Sequence, residues 1–389
     1  MRQLVLLGIF IVGAAVAAQQ PVPAPPQAAA QPPIIAVKPI DPPATPLPTE
    51  AASAGVTRFS FIAYGDTRSG GSAPGVPGDG QIIHPQHSAL VDAMLAKAKA
   101  LSATPFPVRF VVQSGDAVLR GQNGAMWNVS FTPVIEKLTR ANIPYFFSVG
   151  NHDVSGRPAG DRERQEGLHN TLTAMSKLMP PEGSPHRLSG YPAYGFGYGN
   201  MFVIAIDSNI AADPFQFAWA SDQLDHLDRA RYPHIVFFFH HPTFSSGPHG
   251  GDHVEPASVV IRDLYTPLFR KHHVRMIIAG HDHLLDHWVE RYEDAGVAYR
   301  RDDIVTGGGG APHYRYTSEP DLTAYVATGA AQKVRVEHLM KPEPIAADNP
   351  HHFIVIQVDG AKLSLEVVAI GGKPYAPYGG KATIALDDR

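Results

Sequence analysis

Five short polar blocks hold the side chains of this chain that are best suited to chemistry. They are Gly65-Asp66-Thr67-Arg68, Gly115-Asp116, Gly150-Asn151-His152-Asp153, His240-His241-Pro242 and Gly280-His281-Asp282-His283. Their carboxylates, amide carbonyl and imidazoles suit manganese, iron, zinc and similar ions, and the chain has no cysteine that would add a thiolate. Two such ions about 3.5–4 Å apart need separate ligands and one carboxylate that bridges them. The blocks therefore predict a two-metal hydrolytic site.

Each polar block follows a short apolar run that is typical of a buried strand. The runs cover residues 59–64, 108–112, 145–149, 234–239 and 274–278. Open α/β sheets place their ligand sites beyond the carboxyl ends of strands, so we expect the five blocks to meet at one end of a sheet. His281 and His283 are two residues apart, and in an extended chain both side chains leave from one face. We therefore expect them to reach two neighbouring ions.

The order of the blocks, Asp…Gly-Asp…Gly-Asn-His-Asp…His-x-Pro…Gly-His-x-His, resembles the calcineurin-like metallophosphoesterase superfamily. The resemblance covers residues 66–283, with supporting similarity to about residue 359. It implies an α/β fold in which two packed sheets are flanked by helices, an α/β/β/α sandwich, with the metals at one end. It also implies a phosphoesterase that hydrolyses a phosphate mono- or diester of a small substrate by attack of a metal-bridging hydroxide. The cofactors would be two divalent or trivalent ions, such as iron, manganese or zinc.

The resemblance also assigns roles to individual residues. Its metal ligands are Asp66 and His283 for the first ion, Asn151, His240 and His281 for the second ion, and Asp116 as the bridge between them. It places His152 beside the phosphate, where the imidazole would assist the leaving group. Asp153 follows directly, and we expect its carboxylate to orient His152 or a metal-bound histidine. The order of the blocks leaves the substrate open among monoesters, diesters, nucleotides, phytate and phosphoproteins.

One departure from the superfamily concerns Arg68, because the first block usually reads Asp-x-His. Arginine stays protonated and is not a metal ligand. Either the first ion has one protein ligand fewer, or another residue, His87 before His84, completes its site; the alternative is that His87 flanks a helix. Arg68 could instead face the phosphate, where its planar fork pairs with two oxygens, and we count it among the catalytic residues. An incomplete first site also keeps a second function open, a metal- or phosphate-binding module without turnover.

A second departure lies at Leu119. The purple acid phosphatase branch of the superfamily has a tyrosine three residues after the bridging aspartate, where this chain has Leu119. We therefore expect no tyrosinate colour, and the resemblance is to the superfamily rather than to the purple branch proper.

Three further histidines are candidates for contacting the substrate. His241 adjoins a predicted ligand, His249 lies in the loop after the fourth block, and His313 follows a glycine-rich segment, residues 306–312. That segment could cradle phosphate with its backbone N–H groups or form a tight structural turn. Residues 155–188 interrupt the strand pattern and form either a cap over the substrate pocket or a surface insertion. For His249 the alternative is a solvated loop residue, and of the pair His240-His241 we take His240, not His241, as the metal ligand.

Helical and strand patterns alternate along the rest of the chain, which favours a mixed sheet with helices outside. The predicted helices cover residues 88–101, with Ser88 as N-cap, and residues 131–141, 166–179 and 213–231. The predicted strands cover residues 194–207, 352–358 and 362–370, the last two joined by the hairpin turn Asp359-Gly360. We expect this hairpin to complete the second sheet.

The N-terminal residues predict export. Residues 1–18 have a charged start, an apolar run and small residues at a cleavage position, which is typical of a signal peptide. The run is shorter than the roughly 20 residues of a membrane span, so we expect a secreted or periplasmic bacterial protein without a span in the mature chain, an uncleaved anchor being the alternative. Residues 19–55 are rich in proline and alanine and predict a disordered linker before a catalytic domain, residues 56–389. The net charge of −4 predicts no nucleic-acid polymer as partner, and the oligomeric state stays open.

Overall fold

The computed structural model describes residues 35–69, 77–154, 161–372 and 374–386. The strands are β1 (Arg58–Tyr64), β2 (Val108–Gln113), β3 (Tyr145–Phe147), β4 (Tyr194–Tyr198), β5 (Met201–Ala205), β6 (His234–Phe238), β7 (Met276–Ala279), β8 (Leu285–Asp294), β9 (Val297–Thr306), β10 (Arg335–Met340), β11 (His351–Asp359), β12 (Lys362–Ile370) and β13 (Thr383–Ala385). The α-helices are α1 (Pro85–Leu101), α2 (Thr132–Arg140), α3 (Asn151–Val154), α4 (Arg162–Met175), α5 (Pro214–Asp225), α6 (Pro256–Val260), α7 (Thr266–Lys271) and α8 (Thr323–Thr328).

The strands form two mixed sheets. The first has the order β13-β12-β11-β1-β2-β3, in which β1, β2 and β3 are parallel and β11, β12 and β13 pair antiparallel. The second has the order β10-β8-β9-β7-β6-β5-β4, with β5, β6, β7 and β9 parallel. The polar blocks follow parallel strands in both sheets, which is what brings them to one edge.

The main core lies between the two sheets. Phe110 of the first sheet packs edge to face on Phe196 of the second, with ring centroids 5.3 Å apart. A second apolar layer covers the outer face of the second sheet, where Phe237 packs on Phe269 of α7. Helix α1 covers the first sheet and contacts β11 and β12. The predicted α/β/β/α sandwich is therefore confirmed.

Three predicted helices differ from the observed ones at their ends. Helix α1 begins at Pro85 rather than near Ser88, because the ring of His84 caps it by accepting the N–H of His87 at 3.2 Å. Proline in the first turn supports this start, since its φ is already helical and its missing N–H has no partner there. Helix α4 starts at residue 162 and ends at 175, earlier than predicted, and α5 ends at residue 225 instead of 231.

Two strand predictions also change. The strand predicted over residues 194–207 is a hairpin, β4 and β5, whose turn places Gly199 at φ +58°; a Cβ there would lie 2.3 Å from the carbonyl oxygen of Val56. The hairpin predicted at Asp359-Gly360 forms, but it extends the first sheet rather than the second, because β11 pairs antiparallel with β1.

The predicted linker is wrong over its described part, since residues 35–55 pack on the domain. Ile40 is fully buried, and its N–H donates to the carbonyl of Ala174 at 2.9 Å. Glu50 accepts a hydrogen bond from the hydroxyl of Tyr232 at 2.6 Å. Proline-rich chain is extended and has few N–H groups to satisfy, so it can lie across a surface without joining a sheet. Residues 1–34, with the predicted signal peptide, lie outside the described residues, and no described helix is long and apolar enough to cross a membrane.

Candidate metal centre

The five polar blocks meet where β1, β2 and β3 of one sheet and β6 and β7 of the other end. The ligand atoms of Asp66, Asp116 and His240 lie within 4.8 Å of one another, although the three residues come from three different blocks. All three side chains are buried. The predicted meeting of the blocks is therefore what the structure contains.

Three of the predicted ligands have left-handed backbone. The φ angles are 61° at Asp66, 54° at Asp116 and 73° at His281. Residues with a Cβ seldom adopt this conformation, and such strain clusters at functional sites. In each case the residue comes directly after a glycine that follows a strand, so the chain turns sharply and directs the side chain toward the other blocks.

The glycines of the blocks are required because the loops approach one another closely. A Cβ on Gly150 would lie 2.2 Å from Oδ1 of Asp116, and a Cβ on Gly280 would lie 2.3 Å from Oδ2 of Asp66. Neither carboxylate could keep its position beside a larger residue. Glycine is therefore the residue that lets two loops place their carboxylates together.

The predicted ligands of the second ion have fixed ring orientations. Nδ1 of His240 lies 3.0 Å from the carbonyl oxygen of Ser114 and therefore carries the proton, so Nε2 has the lone pair. Nε2 of His281 lies 3.0 Å from Oε2 of Glu255 and carries a proton there, so in the neutral ring that binds metals Nδ1 has the lone pair. Carbonyl and carboxylate partners of this kind usually orient metal-bound histidines.

Three acceptor atoms converge at this position. Nε2 of His240 lies 2.9 Å from Oδ1 of Asn151 and 3.0 Å from Nδ1 of His281, and with both imidazoles in the neutral, metal-binding form none of the three atoms carries a hydrogen. Oδ1 of Asp116 is 3.4 Å from the same Nε2. Burial lowers the pKa of His240 to about 3, which keeps its imidazole neutral, the form that binds metals. Lone pairs this close repel unless a cation lies between them, so the donor set fits a metal ion.

The predicted ligands of the first ion are arranged differently. Nδ1 of His283 donates to the carbonyl oxygen of Pro312 at 2.7 Å, which turns Nε2 toward Oδ1 of Asp66, 3.6 Å away. The guanidinium of Arg68 lies in the same place: its Nε donates to Oδ2 of Asp116 at 3.1 Å, and one terminal nitrogen lies 3.3 Å from Nε2 of His283. Arg68 thus contacts two of the three residues that were predicted to hold the first ion.

His152 projects from the first turn of α3 toward the cavity. Its Nδ1 donates to the carbonyl oxygen of Leu119 at 2.9 Å, and its Nε2 lies 4.0 Å from Oδ2 of Asp116. Its backbone N–H also donates to Oδ1 of Asp116 at 2.9 Å. The ring is partly exposed and its free nitrogen faces the space beside the predicted ligands.

Asp153 does not orient a histidine, and this prediction needs correction. The first turn of α3 directs its carboxylate away from the imidazoles and under the loop that follows β2. The carboxylate accepts the backbone N–H groups of Gly150, Asp116, Ala117 and Val118 at 2.8–3.2 Å. Burial and the charge of Asp116 raise the pKa of Asp153, and the N–H donors act in the opposite direction. Asp153 therefore holds the loop that carries the predicted bridging ligand.

A cavity of about 390 Å³ opens beside these residues. Arg68 and Arg164 both line it, together with Asn209 and Tyr314. Arginine forks bind phosphate oxygens in pairs, so the cavity suits a phosphorylated ligand. Arg164 belongs to α4, and the segment around it, residues 161–188, therefore contributes to the pocket, which favours the cap over a mere surface insertion.

The substrate-contact candidates separate into two groups. His241 and His249 line the cavity; Nδ1 of His241 lies 2.8 Å from Oγ of Ser208, and Nδ1 of His249 lies 2.7 Å from Oε1 of Glu255. His313 instead lines a separate cavity, where its Nε2 lies 2.9 Å from Nδ1 of His351. Its position does not support the predicted contact with substrate.

The ring of His87 packs among buried aromatic residues and contacts none of the predicted ligands, so its candidate role as an extra ligand is corrected. Its ring is fully buried, stacks on Phe131 and lies 3.1 Å from the hydroxyl of Tyr64. The glycine-rich segment after β9 is a structural turn, because the N–H of Gly309 donates to the carbonyl of Gly65 at 2.8 Å.

Sequence reasoning missed four residues of the site: Glu255, Arg164, Asn209 and Tyr314. Glu255 lies with His241 and His281 in a group whose ligand atoms are within 4.8 Å of one another. These four residues stand in loops or helix starts that carry no recognisable motif. Only the folding of the chain places these four residues beside the polar blocks.

Comparison with known proteins identifies the family. Residues 83–285, more than half of the chain, match the Calcineurin-like phosphoesterase family, and the chain therefore belongs to it. A probable purple acid phosphatase 20 of Arabidopsis thaliana is 27% identical over 186 residues, 46% of this chain and 40% of that protein. A phosphoenolpyruvate phosphatase of Allium cepa is 24% identical over 230 residues, 57% of this chain and 42% of that protein.

A solved structure of similar fold is a purple acid phosphatase from yellow lupin (Lupinus luteus) seeds. Its TM-score is 0.57 at 18% identity, covering 84% of this chain and 54% of that one. At this identity the likeness concerns the fold alone. The chain spans about half the length of these relatives or less, and it has Leu119 where the purple branch has tyrosine.

Proposed function

We propose that this protein is a metal-dependent phosphoesterase that hydrolyses a phosphate mono- or diester of a small substrate. The observation that carries the proposal is the convergence of Asn151, His240 and His281, whose side-chain atoms lie about 3 Å apart and, with neutral imidazoles, present only lone pairs to one another. Membership of the Calcineurin-like phosphoesterase family and the two arginines of the adjoining cavity support it. A bound metal would supply Lewis acidity and lower the pKa of a water molecule.

The residues of the chain have separate tasks in this reaction. Arg68 and Arg164 bind the phosphate oxygens and offset the charge that develops on them. His152 faces the cavity with Nε2, while the carbonyl of Leu119 fixes its ring through Nδ1. In its doubly protonated form the ring donates the Nε2 proton to the departing oxygen, and the proton that the attacking water loses restores it. Water attacks phosphorus in line with the leaving oxygen, and no serine or threonine is needed as a nucleophile.

The number and identity of the ions belong to the proposal. The donors predicted for the second ion converge, and iron, manganese and zinc all suit them. The donors predicted for the first ion are in contact with Arg68. The predicted export to the periplasm or the medium is part of the same proposal, and rests on the signal-peptide pattern of residues 1–18.

The test is hydrolysis of p-nitrophenyl phosphate and bis-p-nitrophenyl phosphate by protein that has been stripped with a chelator and reloaded with manganese, iron, zinc or cobalt. We expect turnover only after reloading, and the preferred ester gives the substrate class. Bound metal without turnover of either ester under any ion would contradict the proposal.

The alternative, a metal- or phosphate-binding module without turnover, is favoured by one observation, the contact of Arg68 with two predicted ligands of the first ion. Hydrolysis and the effect of His152→Ala separate the two functions, because both an enzyme and a binding module would bind inorganic phosphate. A module binds phosphate and metal tightly with no hydrolysis, and His152→Ala leaves it unchanged. In an enzyme the same variant keeps the metal and loses turnover.

A further inference from the structure

We infer that the guanidinium of Arg68 takes the place of the first metal ion, so that the chain holds one ion where its family arrangement implies two. The inference rests on the proposed function for the purpose of the site, but it concerns metal content and can be tested without turnover. Among the described residues, Arg68 is the cation that contacts both Asp116 and His283.

Arg68 occupies the lone pairs that the first ion would need. Nδ1 of His283 donates to Pro312, so Nε2 is its only acceptor, and a terminal nitrogen of Arg68 lies 3.3 Å from it. Oδ2 of Asp116 accepts from Nε of Arg68 at 3.1 Å. An ion would have to lie about 2.0–2.2 Å from each of these two atoms. That space is filled by the guanidinium.

The charge of Arg68 also disfavours a metal ion at this position. Arginine does not lose its proton in proteins, so Arg68 is a permanent cation beside the carboxylates of Asp66 and Asp116. Its side chain is only 10% exposed, and little water screens it. A divalent ion placed next to it would be repelled. One positive charge therefore already compensates the carboxylates at this position.

The carboxylate of Asp116 lies between two positions, as a bridging ligand does, but one of the positions holds a guanidinium. Its Oδ1 lies 3.4 Å from Nε2 of His240, at the position predicted for the second ion. Its Oδ2 is bound to Arg68. The carboxylate thus links one ion to one arginine rather than two ions.

The two candidates for an extra ligand of the first ion, His84 and His87, make other contacts. His84 caps α1 through Nδ1, and His87 is buried beside Tyr64. On its open side the ring of His283 stacks on Tyr314, with ring centroids 4.0 Å apart. Neither of the two histidines that we considered as a replacement ligand reaches the first position.

The experiment is a count of bound metal per chain, by mass spectrometry of the elements, after reloading and removal of free ions. We expect about one ion in the wild type and about two in Arg68→His, which restores the Asp-x-His pattern of the family, and in Arg68→Ala, which empties the space. Arg68→Lys keeps the charge and should remain at one ion. Arg164 is the other arginine that lines the cavity, so Arg164→Lys is the matched control and should also retain one ion.

A second readout does not depend on counting. With manganese, two ions that share Asp116 couple magnetically, so paramagnetic resonance should give an uncoupled signal in the wild type and a coupled signal in Arg68→His. Circular dichroism and thermal unfolding check that the variants are folded.

Two ions in the wild type, or no gain in both Arg68→His and Arg68→Ala, would overturn the inference. The proposed function is tested separately. One bound ion without turnover would support the single-ion inference and contradict the phosphoesterase function. Two bound ions with turnover would contradict the inference and support the phosphoesterase function.

Discussion

Nε2 of His281 lies 3.0 Å from Oε2 of Glu255, and this contact decides which ring nitrogen His281 turns to the ion. A carboxylate only accepts, so Nε2 carries the proton and Nδ1 presents its lone pair 3.0 Å from Nε2 of His240. The other oxygen of Glu255 lies 2.7 Å from Nδ1 of His249. The hydrogen bonds from His249 and His281 lower the pKa of Glu255, which keeps it ionised.

Glu255→Gln should therefore weaken metal binding about 10–100-fold, because an amide can turn its NH₂ group toward Nε2 and no longer fixes the ring. Competition with a chelating dye measures the affinity. Glu337→Gln, on the exposed part of β10, is the control and should leave the affinity unchanged. Equal affinity in wild type and Glu255→Gln would show that the contact does not orient a ligand.

His152→Ala should lower kcat by about 10²–10⁴ with little change in metal content, because the imidazole acts on the leaving oxygen and does not bind the ion. Steady-state hydrolysis of the two p-nitrophenyl esters measures the rate, and elemental analysis the metal. The exposed His226 provides the control His226→Ala, which should keep full activity. Loss of metal together with activity would place His152 among the ligands instead.

Asp153→Asn should lower the free energy of unfolding by about 2–4 kcal/mol, since the new NH₂ group would face buried backbone donors and leave some without an acceptor. Denaturant unfolding measures the loss. Asp321 is a matched control because its carboxylate accepts the backbone N–H of Thr323 at 2.9 Å on the surface, and Asp321→Asn should cost well under half as much. An equal cost at both positions would argue that burial of the Asp153 contacts does not matter.

The contact of Glu50 with His186 should make the docking of residues 35–55 depend on pH. The hydrogen bond from His186, with that from Tyr232, lowers the pKa of Glu50 to about 2 from 4.5 despite partial burial. The stabilisation is therefore complete above pH 4.5 and is lost as the pH falls from 4.5 toward 2. Glu50 also raises the pKa of His186, and that contribution is lost as the pH rises above 6.5.

Glu50→Gln should accordingly lower the free energy of unfolding most, by about 1 kcal/mol, between pH 4.5 and pH 6.5, and by less in stronger acid or at alkaline pH. Unfolding of both proteins across this pH range gives the difference. A cost that does not vary with pH would mean that the pair contributes through packing and not through charge.

The fold and the meeting of the polar blocks at one edge could be predicted from the sequence because the signal for each is local. Asp66, Asp116 and His240 each come shortly after an apolar run, and the ends of parallel strands meet by the geometry of the sheet. The helix starts shifted by a few residues, as at His84, because capping depends on which side chain reaches a free N–H. Residues 35–55 differ from the prediction, since their composition predicts disorder and their contacts with the domain order them.

The direction of individual side chains could not be predicted. Asp153 adjoins His152 in sequence, but one turn of helix sends its carboxylate to the backbone of the neighbouring loop. Glu255 and Arg164 enter the site from helix starts without a motif. The sequence allowed Arg68 to face the phosphate, but its contact with His283, which is 215 residues away in the chain, could not be predicted.

The decisive measurement is hydrolysis of bis-p-nitrophenyl phosphate and p-nitrophenyl phosphate by metal-free protein, followed as the ion is added in small steps. We expect turnover to be absent at first, to rise in proportion to the added ion and to level off at about one ion per chain. Absence of turnover at every ratio, with the ion demonstrably bound, would contradict a metal-dependent phosphoesterase.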